Sequence, residues 1–310
     1  MTVRIIDDPP APGTEAWRKM ITASKIPAIM GLSPWQTPYS LWHEMHGDAE
    51  PKEPTPAQKR IFQWGHSAEL AMADYWAKEN PEWELSEGEV AFTDDSLPFP
   101  NLVTVDRVAT HKETGDQRIL ELKTVNSFDA LAKWGKEGDI DSPPLNYRAQ
   151  HLMQRGVSHI HDGEMMVQGM GAPEFHQVSW KPLEWARILQ AATAFNRMLE
   201  AGTPPPLDGE KITYDIVRGL HPDIERDTIY VGTAEQARAL FAAKRAEEEA
   251  AFTYRALRAE LADQMGDRHR AVAGDIVFAR RQVSGKSPVP NLVLVGKAEE
   301  ELKEANNGSE

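Results

Sequence analysis

Residues 101–108 and 119–124 constrain this chain more than any other stretch. Asn101-Leu102-Val103-Thr104-Val105-Asp106-Arg107-Val108 is rich in β-branched residues and predicts a strand. His111-Lys112-Glu113-Thr114-Gly115-Asp116 has the polarity and the glycine of a hairpin turn. In Ile119-Leu120-Glu121-Leu122-Lys123-Thr124 the two-residue period puts Ile119, Glu121 and Lys123 on one face and Leu120, Leu122 and Thr124 on the other. Such a pair of strands brings Asp106, Glu121 and Lys123 to one point and buries the leucines behind them. Two carboxylates offer the hard oxygens that Mg²⁺ takes alongside waters and phosphate oxygens. An ammonium two residues away would hold the attacking water or neutralise charge at phosphorus. The bland alternative is a solvated amphipathic strand, and only the rest of the chain separates the two.

Composition narrows the class. The length of 310 residues allows one large domain or two ordinary ones, and 41% hydrophobic residues with nine tryptophans suffice for a folded core. With no cysteine, disulfides, Cys-ligated zinc and iron–sulfur clusters are excluded. No apolar run approaches the roughly 18 residues of a membrane span, and Met1-Thr2-Val3-Arg4-Ile5-Ile6-Asp7-Asp8 lacks a signal-peptide core. A cytoplasmic protein is expected. A net charge of −14 argues against a generic polyanion binder but leaves room for metal-mediated or locally basic phosphate contacts.

In chain order, a short helix is predicted at Thr14–Met20 and a two-turn helix between an N-cap at Ser24 and a terminating Gly31. Another helix is predicted over Thr37–Met45 with Pro38 at its first position, then a Pro-rich surface loop over 48–57. A long helix follows at Ala57–Asn80, in which Gly65 invites close approach and Glu69 lies one turn further on the same side. Strands dominate from Glu87 to Val125. A short helix near 128–134, a loop over 135–144 and a helix from Tyr147 stopped by Gly156 come next, with Gln150 and Gln154 one turn apart. His159–Gln168 and Phe175–Trp180 read as paired strands. His159, His161 and His176 lack helical metal-ligand spacing, so structural or exposed roles are favoured over a metal site. An amphipathic helix at Leu183–Ala201 ends at Gly202, and Pro204-Pro205-Pro206 marks the expected boundary between domains 1–206 and 207–310. Beyond it lie a long helix over Thr233–Met265 with a capping-box start and a Gly266 stop, then a hairpin of Gly274–Val283 and Val289–Val295. Arg268, Arg270, Arg280, Arg281, Lys286 and Lys297 make the stretch 266–297 locally basic, either as a DNA-facing surface or as a solvated hairpin. The acidic residues 298–310 read as a frayed tail.

Four pieces in this order carry a resemblance: Trp17 with Ile21-Thr22-Ala23-Ser24; Trp64-Gly65-His66-Ser67-Ala68-Glu69; Asp106 with Glu121-Leu122-Lys123; and Tyr147-Arg148-Ala149-Gln150. Together they resemble the lambda-exonuclease/YqaJ-type viral recombinases of the PD-(D/E)xK nuclease superfamily, over about residues 14–200. The resemblance implies an α+β, restriction-endonuclease-like fold, a central mixed sheet flanked by helices, here followed by a C-terminal helix and hairpin. It further implies a Mg²⁺-dependent exonuclease, with Mn²⁺ as the alternative ion, acting on double-stranded DNA ends. Such an enzyme degrades the 5′ strand and leaves a 3′ overhang for a single-strand annealing protein, and a ring-shaped homo-oligomer is expected. Carried over by position, Asp106, Glu121 and the Leu122 carbonyl would bind metal, with Glu69 as a further carboxylate. Lys123 would orient the water and Gln150 would position it or Lys123. Ser24, Thr104 and Tyr147, with Arg18 or Lys25 (Lys19 is a third choice), would meet DNA or its 5′-phosphate. The sequence departs from the family in Val105-Asp106-Arg107, where Pro-Asp-Gly is frequent, and in a short interval between Trp17 and Ser24. An endonuclease of the same superfamily and a non-catalytic DNA-end-binding module remain the alternatives.

Overall fold

The computed structural model describes residues 2–51, 53–284 and 287–307; Lys286 and the last three residues of the expected tail lie outside them. In chain order the strands are β1 (Val3–Ile5), β2 (Ile21–Thr22), β3 (Trp83–Leu85), β4 (Val90–Asp94), β5 (Asn101–Val105), β6 (Arg107–His111), β7 (Gln117–Thr124), β8 (Asp162–Gln168), β9 (Glu174–Gln177), β10 (Arg270–Ala273), β11 (Ile276–Ser284) and β12 (Ser287–Leu294). The helices are α1 (Glu15–Arg18), α2 (Ile26–Ile29), α3 (Pro38–His46), α4 (Pro56–Glu79), α5 (Phe128–Ala132), α6 (Leu145–Ser158), α7 (Pro182–Glu200), α8 (Lys211–Leu220), α9 (Ala234–Met265) and α10 (Ala298–Asn307). No helix of the described residues is long and apolar enough to cross a membrane.

The chain divides into two compact units, Met1–Ile224 and Glu225–Glu310. The first is a mixed α/β unit with two sheets, ordered β3-β6-β7-β8-β9 and β1-β4-β5-β2. Strands β6 and β7 form the expected hairpin, with Arg107 opposite Leu120, and β7 runs parallel to β8 through the crossover helix α6. Both faces of β7 are covered, which a parallel-paired central strand requires. Ile119 joins a core with Ala149, Leu152 and Met153 of α6, while Leu120 and Leu122 pack on Met72 and Trp76 of α4. The segment expected as one strand over 101–108 is broken at Asp106: β5 belongs to one sheet and β6 to the other. One residue between two strands in different sheets bends the chain there, and the buried Arg107 donates to the Asp106 carbonyl. Helix α8 lies beyond the triple proline yet belongs with this unit, where a buried hydrogen bond of 2.7 Å joins Thr213 to Thr37 at the start of α3.

Two cap predictions are corrected. Ser24 caps no helix, because residues 23–25 form a 3-10 turn and α2 starts directly after it, at Ile26. Gly156 does not stop α6, which runs on to Ser158 and ends on His159 at a φ of 59°. The glycine is needed for another reason: a Cβ there would stand 2.5 Å from the ring of Trp185 on α7. Gly65 has nothing within 4 Å of the corresponding point, so no described part of this chain approaches it closely.

In the second unit, α9 opens on a capping box between Thr233 and Gln236, as expected. The predicted hairpin β11–β12 gains β10 to form a three-stranded antiparallel sheet. Leu261 and Met265 at the end of α9 pack on Ala271, Ala279 and Leu292 of that sheet. The stretch expected as a frayed tail is helical up to Asn307.

Candidate active site

Where β5 hands over to β6, a pocket of about 280 Å³ opens, lined among others by Ser24, Thr104, Asp106, Glu121, Lys123 and Gln150. Glu121 is 1% exposed, on the α6-facing side of β7. Helix periodicity sets Gln150 and Gln154 one turn apart on α6, and both amides reach the same carboxylate. Gln150 Nε2 donates to Oε1 and Gln154 Nε2 to Oε2, each at 2.6 Å, and Gln154 also donates to the Thr104 carbonyl at 2.9 Å. Lys123 Nζ forms an ion pair with Glu121 Oε1. Asp106 Oδ2 accepts from the Leu122 N–H at 2.6 Å, which holds it against the edge of β7.

The charges do not balance. Loss of solvent and the nearby Glu121 push the Asp106 carboxyl well above its ordinary range, outweighing Lys123 and the Leu122 N–H, and Glu69 adds to the push. Burial disfavours the Lys123 ammonium, but Glu121 and Asp106 together overcome that and hold it above its usual value. Two carboxyl groups share one ammonium in a poorly solvated place, so full ionisation of both calls for a further cation. That donor set, all oxygen, fits a hard divalent cation.

Residues 14–161 match the family model of the YqaJ-like viral recombinase domain. Over that stretch the chain is similar to this family. In structure the chain is similar to an alkaline exonuclease from Laribacter hongkongensis, at 18% identity over 67% of this chain and 97% of that one, with a TM-score of 0.47. A second structure of that exonuclease, in complex with dAMP, is similar at 17% identity with the same coverage and a TM-score of 0.46. No curated protein matches the chain in sequence.

The remaining candidates fall in different places. Glu69, half-buried on α4, is near enough to Asp106 to act on its charge. It also belongs to a group with His66 and Glu89 whose ligand atoms all lie within 4.8 Å of one another. Glu89 lines the pocket as well. Sequence reasoning missed both partners. His66 precedes Glu69 by three residues on a helix, a spacing that puts them on one face and was there to be used. Glu89 left no signal, because it sits in the loop before β4 and only the fold brings it to α4.

Ser24 faces the pocket and its hydroxyl lies 3.0 Å from that of Thr22. Tyr147 stacks on Trp134 with ring centroids 5.1 Å apart and lies close enough to influence Lys123. Arg18 is turned to Glu50 at 3.1 Å and to the Gly13 carbonyl. Lys25 is 3% exposed and its ammonium donates to the carbonyls of Trp17, Arg18 and Met20 at 2.7–3.0 Å, beneath the Trp17 ring. Neither Arg18 nor Lys25 lines the pocket. The three histidines are spread out: His159 pairs with Asp94, His161 stacks on Trp180, and His176 bonds Ser142.

Proposed function

We propose that this protein is a metal-dependent exonuclease that degrades one strand of linear double-stranded DNA from its end, 5′ to 3′, leaving 3′ single-stranded overhangs. One observation carries the reading above the others: Asp106, Glu121, Lys123 and Gln150 converge on one pocket floor with more carboxylate than ammonium. Asp106, Glu121 and the Leu122 carbonyl would hold Mg²⁺ or Mn²⁺, with Glu69 beside them and His66 and Glu89 completing that side. A bound divalent ion supplies Lewis-acid stabilisation of phosphate charge and makes water more easily ionised. The protein's own groups do the positioning. The amides of Gln150 and Gln154 fix both oxygens of Glu121, so that carboxylate needs little reorganisation on binding a cation. Lys123, kept charged by its neighbours, orients the attacking water and offsets charge on the phosphate as the P–O bond breaks. Ser24 and Thr104 at the pocket wall meet the 5′-phosphate. The overhang would pass to a single-strand annealing protein, and a closed ring of subunits would keep the enzyme on its track.

The test is incubation of the protein with Mg²⁺ and two DNAs, one linear and 5′-phosphorylated, one covalently closed, beside Glu121→Ala and Lys123→Ala. Progressive loss of the linear DNA alone, abolished in both variants, is expected, with a 5′ label released before a 3′ label. Cutting of the circle would replace the reading by an endonuclease. No cleavage with either metal would remove the enzymatic reading.

A further inference from the structure

Charge is divided unequally along the chain. Residues 1–224 carry 33 Asp and Glu against 21 Lys and Arg, whereas residues 225–310 carry 15 against 13. Around the pocket the shortage of free cations is acute. Among the described lining residues only Lys123 is cationic, and it is engaged by Glu121. Arg18 is held by Glu50, and Lys25 is buried on three carbonyls. A duplex carries one negative charge per roughly 1.7 Å of its axis, so an acidic unit is a poor grip for it.

The second unit offers the missing cations on its sheet. Arg270 of β10 stands directly opposite Arg280 of β11. Both are exposed, and among the described residues neither has a carboxylate within ion-pair distance. Ala279, adjacent to Arg280, is fully buried, so the alternation of the strand sends Arg280 to the other face. Like charges directly opposite each other on a sheet are destabilising, and a bound anion relieves the repulsion. Each guanidinium also presents a donor fork matched to phosphate. Arg281, by contrast, is folded back onto the Gly266 carbonyl and lies 3.9 Å from Asp267, so the sheet holds one structural arginine and, among the described residues, two without an ion-pair partner.

We propose that the β10–β11 face bearing Arg270 and Arg280 binds the phosphate backbone of duplex DNA, in a sequence-independent way. The proposal rests on the nuclease reading for the choice of polyanion. On this reading the C-terminal unit holds the substrate that an acidic catalytic unit holds poorly.

The test uses the full chain, a fluorescently labelled linear duplex and EDTA to prevent turnover, with affinity read by anisotropy across a salt series. Arg270→Ala with Arg280→Ala should weaken binding roughly tenfold and lower the log–log salt slope by about 2, the loss of two phosphate contacts. Arg270→Lys with Arg280→Lys should recover most of both, which a fold defect would not permit. Unchanged affinity and slope in the alanine variant would overturn the proposal. So would a changed sedimentation coefficient with unchanged duplex affinity, which would make the face a contact between copies. Duplex binding that depends on the two arginines, in a protein that cuts no DNA with Mg²⁺ or Mn²⁺, would uphold the surface while ending the nuclease reading.

Discussion

At the pocket floor Lys123 faces Glu121 and Asp106; beneath Trp17, Lys25 faces backbone carbonyls and the flat of an indole ring. Both lose solvent, and the same penalty ends with opposite signs. Carboxylates lift Lys123 above its ordinary range, whereas burial pulls Lys25 down to about 8, with Glu44 opposing. Formal charge in the neighbourhood, rather than depth, decides which ammonium is firmly held. The difference separates two jobs. Lys123 has a charge to deliver to whatever enters the pocket. Lys25 has its three N–H groups committed to tying the turn at Trp17–Met20 to the start of α2, which is also where Ser24 is presented to the pocket.

The largest effect that could break this contrast is at Glu121. Glu121→Gln keeps the shape but removes the charge shared with Lys123 and Asp106, and the nuclease rate should fall at least a thousandfold, about 4 kcal/mol of barrier. The melting temperature should fall by a few degrees at most, because the new amide loses one acceptor for Gln150 or Gln154 while a repulsion with Asp106 is removed along with an attraction to Lys123. A melt that collapses while the rate per folded molecule survives would mean the cluster is structural. Lys25→Met comes next. It leaves three carbonyls without their donor and should cost about 3 kcal/mol of stability in urea unfolding. If the variant instead keeps its stability and loses its hold on 5′-phosphorylated ends, Lys25 belongs to the phosphate grip and the contrast fails.

A third buried base sharpens the comparison with a smaller effect. His151, on α6 between Gln150 and Gln154, is fully buried, and loss of solvent with Arg155 nearby pushes its pKa down to about 3. It is therefore neutral in the folded protein, and its ordinary value near 6.5 applies only when the chain unfolds. Its contribution is complete above pH 6.5 and is lost as pH falls towards 3, at up to about 1.4 kcal/mol per pH unit. His151→Gln should flatten that acid limb of the stability profile. An unchanged slope would assign the acid sensitivity to the carboxylates instead.

Particular residues show how far the sequence could be read. The period of Ile119–Thr124 was enough to place Glu121 and Lys123 on one side of a buried strand, because two-residue alternation is a local property of extended backbone. The single turn between Gln150 and Gln154 was equally plain. What escaped is instructive. Nothing between Val103 and Val108 interrupts a β-rich run, so the change of sheet at Asp106 had no local mark; it exists because β4 and β7 each pair with their own half. Gly156 looked like a helix stop, yet it is where the Trp185 ring crosses α6.

By itself, the sequence determined the alternation of β7, the long helices and the capped start of α9, and the order of the pieces shared with YqaJ-like recombinases. These depend on backbone periodicity and on side chains a few residues apart. Only tertiary structure decided that Glu121 is clasped by two amides from α6, that Glu89 joins His66 and Glu69, and that Lys25 is tied to three carbonyls. It also decided that Arg270 stands opposite Arg280, unlike Arg281. Each of these depends on how elements distant in the chain pack, and burial there changes the energy of a charge by more than the choice of residue type does.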